Sequence, residues 1–354
     1  MRGTAAIVGG GVGGLAVGAA LATNGWQVAI FERDAGPAVT GTALGMWPSA
    51  LAALDHLGVG ARVRALGTPQ AAAVFSRPDG TRIGSLDVKG LRRRTGESVH
   101  LLSRPALLGL LRAGVPESAL RFGSAIADAS ALQKDYDVVV AADGIFSGTR
   151  EALFGARFGA RYTGITAWRG QIDTMPTESL IETWGRGGKF GVTPQEDGRT
   201  NWYATTVAPE RAFTPGRERA ALRELFGSWH GGVRGVLDAI VEEGIFRHDL
   251  YVVPPLPTYV RDTVALIGDA AHAMTPDLGR GACEALIDAV TLAQCLDAHS
   301  SVVGGLRAYD QRRRRPTQRL AVVASTASRL TRWTRALWLR NALLRLSLLA
   351  PTPA

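Results

Sequence analysis

Residues 5–33 read AAIVGGGVGGLAVGAALATNGWQVAIFER: a strand, a glycine-rich turn, a helix and a second strand ending on an acid. Residues 5–8 form a short apolar run suited to a buried parallel strand. Gly9, Gly11 and Gly14 complete G-x-G-x-x-G between that strand and a helix predicted over 12–23. The first glycine of such a turn permits the tight bend, and the second lets backbone approach a pyrophosphate. The third lets the helix pack closely on the sheet. Val12 and Gly13 open the helix, whose positive N-terminal end aims at the phosphates. Residues 28–31 predict the second strand, and Glu32, eighteen residues past Gly14, is placed to accept hydrogen bonds from a ribose, with Arg33 beside it. The unit predicts a dinucleotide site in a doubly wound α/β sheet.

The rest of the chain narrows the class. Met1-Arg2 and the apolar stretch after them have the outline of a secretory signal. Five glycines between positions 9 and 14 break its centre, and cleavage would strip the second strand of its partner, so a cytoplasmic location is expected. Cys283 and Cys295 stand twelve apart on one predicted helix, about 18 Å between Cα atoms. That is too far for a disulfide. No His/Cys/carboxylate spacing suits a metal, and none is expected. No uninterrupted apolar run is long enough for a spanning helix. The net charge of +9 suggests a nucleic-acid partner until it is resolved by region. From Arg307 onward there are eleven arginines and one acid, Asp310, whereas the preceding 306 residues hold 29 basic and 30 acidic groups. The body is neutral and the tail cationic, and with no nucleic-acid signature present that partner class is set aside.

Two further motifs repeat the strand-to-loop pattern. Residues 136–142 predict a buried strand running into Asp143-Gly144, followed by Ser147 and Arg150. Residues 263–267 predict another, entering Gly268-Asp269-Ala270-Ala271-His272, then Pro276, Gly279, Gly281 and a long helix from about Ala282. Both put an acid at the carboxyl end of a strand, where doubly wound sheets bind ligands. Either alone also reads as a loop with an Asp N-cap.

Together and in this order, these residues make the chain resemble the single-component FAD-dependent aromatic hydroxylases and epoxidases, the group A flavoprotein monooxygenases. Residues 9–14 with Glu32 match the family's first motif, Asp143-Gly144 its central motif, and Gly268-Asp269 its last. Leu102-Ser103-Arg104 and the helix after it are similar to the family's Arg-x-x-Leu segment, whose arginine reaches FAD, and residues 41–48 to the stretch beneath the flavin. Residues 167–170, 182–187 and 201–204 look like the branch of urate and salicylate hydroxylases and zeaxanthin epoxidase. Gly279-Arg280-Gly281 departs from the family's usual Gly-Gln-Gly, leaving Arg280 to offset flavin charge or to point into water.

The resemblance implies a glutathione-reductase-like FAD-binding domain, discontinuous over 1–73, 99–154 and 261–306. An interleaved antiparallel-sheet substrate domain would span 74–98 and 155–260, and basic C-terminal helices 307–354. It implies non-covalent FAD, with Gly9, Gly11, Val12, Gly13, Gly14, Glu32, Arg33, Arg104, Asp143, Asp269, Gly279, Gly281 and Ala282 as cofactor-binding residues. It further implies reduction by transient NADPH or NADH and transfer of one oxygen atom from O2, through a flavin hydroperoxide, to an electron-rich aromatic or isoprenoid substrate. A prenyl reductase of the same fold is the alternative. A flavin halogenase would need a Trp-x-Trp-x-Ile-Pro segment that the chain lacks.

The middle of the chain has a different grain. Residues 162–172, 181–191 and 200–208 predict twisted antiparallel strands, and 74–88, around Pro78-Asp79-Gly80, a hairpin. Of the aromatic and basic residues there, Arg169 and Tyr203 are the candidate substrate contacts; alternating aromatics otherwise form sheet core. His272 and His248 read as structural. In residues 312–349, Leu330, Trp333, Leu337, Leu344 and Leu348 fall on one helical side. They predict a helix docked on the FAD domain with solvated arginines outside, or one lying on a membrane surface.

Overall fold

The computed structural model describes residues 2–37, 41–173, 175–212 and 215–349; Met1, 38–40, 174, 213–214 and 350–354, which fall within the expected domains, lie outside them. Ala5, Ala6 and Ile7 are fully buried in the strand Thr4–Val8, which is why that run carries no alternation. It pairs in parallel with Gln27–Phe31 on one side and Val138–Ala141 on the other, Ala5 standing opposite Val28 and Val138. The six-stranded sheet runs in the order Val260–Arg261, Val264–Leu266, Val138–Ala141, Thr4–Val8, Gln27–Phe31, Leu120–Arg121. The helices Val12–Thr23 and Gly281–Ala298 pack against each other beside it, and their buried faces merge with the strands into the largest core.

The second sheet has seven strands: Phe246–Val252, Arg161–Ile172, Thr200–Val207, Gly188–Pro194, Ser179–Trp184, Ala72–Ser76 and Arg82–Leu86. All its pairs are antiparallel except Ser179–Trp184 with Ala72–Ser76. Period-two alternation divides its faces. Trp168, Phe190 and Trp202 are buried with Leu222, Phe226 and Val233 from the helices Glu218–Phe226 and Gly231–Ala239. The other face carries Arg169, Glu182, Lys189 and Tyr203 toward the six-stranded half. Ala43 N donates to Asn201 Oδ1 (3.1 Å) and Ser103 N to Glu196 Oε2 (2.8 Å), bonds that tie the two halves together.

Three expectations are corrected. The run 181–191 is two strands, because Gly187 takes φ 68° in the turn between them. The hairpin over 74–88 ends at Leu86: the Asp87 carboxylate accepts from Gly90 N (2.7 Å) and caps a helix, Val88–Thr95. The tail is two helices, Val302–Thr331 and Leu337–Leu349, separated by a turn in which Ala336 has φ 49°. The first docks beside the six-stranded sheet, where Tyr259 N donates to Asp310 (2.7 Å). The second docks on the seven-stranded sheet instead, with Leu344 and Leu348 against Ile83 and Trp184. Nor are all its arginines solvated: Arg340 is 1% exposed.

Candidate active site

The glycine turn is cramped where it meets protein and open where it meets the cleft. A Cβ on Gly9, at φ 106°, would overlap Ala142 O, and one on Gly14 would overlap Gly9 O. A Cβ on Gly11 would meet nothing within 4 Å. Substitutable space at Gly11 alone is what a bound diphosphate requires. Val12 and Gly13 begin the helix Val12–Thr23, which has no side-chain N-cap, so its first N–H groups stay free to take an anion. Glu32 Oε2 accepts from Gly10 N (2.6 Å) and Oε1 from Asp34 N (3.0 Å). The backbone therefore aims the carboxylate and leaves each oxygen a lone pair for a ribose. Arg33 is 80% exposed in its side chain, 3.8 Å from Asp34, and faces water.

The other two loops are fastened together by Arg150, which is fully buried. Its guanidinium donates to Ile145 O (2.6 Å), Phe158 O (2.8 Å) and Ala270 O (3.1 Å). Asp143 Oδ2 accepts from Thr149 N (3.3 Å), while its Oδ1 is buried with no hydrogen-bond partner among the described residues. Thr275 Oγ1 and Arg280 Nη1 share that condition. Buried polar atoms left unpaired in the two loops that follow the strands Val138–Ala141 and Val264–Leu266 mark a place where a polar ligand would complete the hydrogen bonding. Asp269 lies at the head of the helix Gly281–Ala298: a Cβ on Gly281 would be 4.0 Å from its Oδ1. It is accessible yet crowded by protein, a cleft-wall position, and burial raises its pKa against the opposing pull of His272, Arg104 and Arg150. Gly279, at φ 59°, turns the chain into that helix, and Ala282 is its second residue. These features fit FAD.

Behind the cleft runs a buried chain of charge. Asp288 accepts from His272 Nε2 (2.6 Å), Gly268 N (2.9 Å) and Arg313 Nε (2.6 Å), and Arg313 also binds Glu284 (2.6 Å). Burial opposes charge on His272, but the Asp288 carboxylate outweighs it and raises the imidazole pKa. Glu284 in turn holds Arg280 (3.1 Å), whose guanidinium lies 5.5 Å from the Trp47 ring centre and bonds Ser49 (3.0 Å). Arg280 is 8% exposed, so it does not point into water.

The facing sheet brings the substrate candidates into one register row. Arg169 stands opposite Tyr203, Tyr203 opposite Gly191, and Gly191 opposite Glu182. The Tyr203 ring lies across Gly191, where a Cβ would overlap it, and its hydroxyl donates to Glu182 Oε2. Trp184 Nε1 donates to Glu182 Oε1 (2.5 Å). Lys189 Nζ reaches Glu182 (3.2 Å) and crosses to Asp277 (3.0 Å), in the loop before Gly279. Burial raises the Tyr203 pKa far above its ordinary value, with Glu182 adding to it. Burial works against charge on Lys189, but Asp277 and Glu182 hold it protonated. Arg169 is accessible from the cleft; surrounding protein and then Arg104 lower its pKa, which places the two guanidiniums near each other. Trp168 and Trp202 point away into core.

Glu182, Lys189 and Asp277 were missed in sequence. Reading 181–191 as a hairpin would have put Glu182 and Lys189 in phase with Tyr203; nothing local signals Asp277, 88 positions from Lys189. Among the described residues no group of His, Cys, Asp and Glu could hold a metal ion.

A family model described as FAD binding domain matches residues 2–138 and 129–324. The chain is 31% identical to the aurachin C monooxygenase/isomerase of Stigmatella aurantiaca over 97% of its own length and 94% of that protein. It is 28% identical to the FAD-dependent urate hydroxylase of Klebsiella oxytoca, over 87% and 85%. Klebsiella pneumoniae HpxO, solved with FAD and uric acid, shares the fold at TM-score 0.87 and 24% identity, over 98% of this chain and 92% of that one. The names of these relatives are those of oxygenating enzymes and do not favour the reductase alternative.

Proposed function

This chain belongs to the FAD-binding family of aromatic hydroxylases and epoxidases and is an FAD-dependent monooxygenase, and from that premise we propose that its substrate is an electron-rich ring carrying an ionisable O–H or N–H. The observation that carries this reading is the Tyr203–Glu182–Lys189–Asp277 cluster, with Glu182 and Lys189 buried and Tyr203 half-buried, beside the Gly279 turn. Two carboxylates and one ammonium leave it with one surplus negative charge. As oxygen attacks the ring, the substrate proton passes to the Tyr203 oxygen while Tyr203 gives its own to Glu182. The cluster becomes neutral as the substrate gains the electron density that attack requires. Arg169, exposed and close enough to Arg104 to feel its charge, supplies positive charge on this face of the sheet, suited to an anionic edge of substrate or cofactor.

FAD, reduced by NADPH or NADH, supplies the transfer of oxygen from O2. In this reading Gly9, Gly11, Val12, Gly13 and Gly14 seat the pyrophosphate and Glu32 the ribose. Asp143, Arg104 and Asp269 meet the groups between ribose and flavin, and the Gly279, Gly281 and Ala282 turn faces the ring, where the helix end favours negative charge. We keep the division of the chain into 1–73, 99–154 and 261–306 for cofactor, 74–98 and 155–260 for substrate, and 307–354 as C-terminal helices; the six- and seven-stranded sheets support it, with the strands Ala72–Ser76 and Val260–Arg261 each straddling a boundary.

The test is oxygen uptake with NAD(P)H across phenols, purines, fused heteroaromatics and isoprenoid alkenes, with labelled O2. One labelled atom should enter a substrate with an acidic O–H or N–H, and Tyr203→Phe should divert turnover to peroxide at unchanged FAD content. Turnover only of alkenes without such a group, untouched by Tyr203→Phe, overturns the proposal.

A further inference from the structure

The helix Leu337–Leu349 is apolar on two sides. On the inner side Leu344 and Leu348 pack against Ile83 and Trp184, and Arg340 donates to the carbonyls of Trp184 and Gly185. On the outer side Trp338, Leu339, Leu343 and Leu346 follow helical spacing and are exposed, Trp338 by 73% and Leu346 by 63%. A helix docked on a protein ordinarily turns charge to water on that side. Here the charge sits at the border instead: Arg335 is exposed beside the stripe, Arg345 is exposed with its Nε bonded back to Ile83 O (3.0 Å), and no acid follows Asp310 in the sequence.

We propose that this outer face lies on an anionic phospholipid surface, with Trp338 at the lipid boundary and the flanking arginines over the headgroups. Charge decides between occupants. A second copy docking through the same face would set one acid-free arginine-rich segment against its twin, whereas an anionic bilayer complements it. The fold also links this face to the substrate cluster. Arg340 grips Trp184 from the helix side, while Lys189 lies 5.5 Å from the same ring, whose N–H binds Glu182. One tryptophan separates the lipid-facing helix from the proposed proton relay.

The test floats the full chain, loaded with FAD, with vesicles of phosphatidylcholine alone or mixed with phosphatidylglycerol. Binding should require phosphatidylglycerol, shift tryptophan emission to the blue, and fall about tenfold or more between low and high salt. Trp338→Ser with Leu346→Ser should abolish it while FAD content and the unfolding midpoint hold, and Arg335→Glu should weaken it. Absence of binding at low salt, or binding that the double variant retains, overturns the proposal. So does a dimer in sedimentation that the double variant dissolves, which would give the face to a second copy.

Discussion

Glu32 is aimed by two backbone N–H groups rather than by another side chain, so its removal touches the cofactor more than the core. Glu32→Ala is expected to weaken FAD binding about tenfold or more, at roughly 1.5 kcal/mol per lost charge-assisted bond, measured by fluorescence of released flavin; unaltered affinity would remove Glu32 from the site. Gly191→Ala should act like Tyr203→Phe, because its methyl displaces the ring from Glu182. Peroxide yield per NAD(P)H would rise in both variants, and a fully coupled Gly191→Ala enzyme would show that the Tyr203–Glu182 bond is dispensable. His248 gives a pH signature. Burial, then Arg169, pushes its pKa down to about 4. The folded form therefore binds fewer protons than the unfolded chain between the ordinary value of 6.5 and 4, so stability present above 6.5 is lost as pH falls through that window. Guanidinium midpoints should fall across it, and His248→Asn should flatten the fall; a wild-type profile already flat there would contradict the burial argument.

At the scale of elements, each C-terminal helix holds a different half of the molecule. Val302–Thr331 is bound through Asp310 and Thr317 to Tyr259, next to the six-stranded sheet. Leu337–Leu349 has a smaller apolar seat of Ile83, Trp184, Leu344 and Leu348. Leu344→Ala removes a buried leucine from that seat, a loss of about 2–5 kcal/mol. That is enough to let the second helix open locally before the fold unfolds. Trypsin should then cut at Arg340 and Arg345 far sooner than in wild type, with the rest of the chain resistant. Uniform digestion would mean that the helix is no separate unit. This arrangement was only half legible: the apolar positions 344 and 348 signalled docking, but the partner surface lies some 260 residues earlier at Ile83, beyond the reach of periodicity.

At the scale of the whole molecule, the seven-stranded sheet meets the cofactor half through Lys189–Asp277 and, at the small three-stranded sheet of Ala43–Met46, His100–Ser103 and Thr68–Pro69, through Ala43–Asn201 and Ser103–Glu196, and the proposed FAD site draws on loops from both ends of that half. Cofactor and fold should therefore stabilise each other. At a hundredfold excess over its dissociation constant, FAD adds about 2.7 kcal/mol. Calorimetry should show one transition that moves up with FAD concentration; two transitions, only one of them FAD-dependent, would mean that the halves unfold independently.

The sequence by itself determined the cofactor half, because its signals are local. A buried strand, a G-x-G-x-x-G turn and an acid are read within 29 residues, and steric demand at Gly9 and Gly14 ties residue type to backbone path. It also determined that a second, antiparallel layer follows, since alternation and turn residues act over a few positions. Only the tertiary structure decided which face of that layer works. Register sends Trp168 and Trp202 into the core and Arg169 and Tyr203 to the cleft, and one displaced turn would exchange the two sets. Tertiary structure alone likewise joined Lys189 to Asp277, because their pairing depends on where two layers touch and not on anything adjacent to either residue.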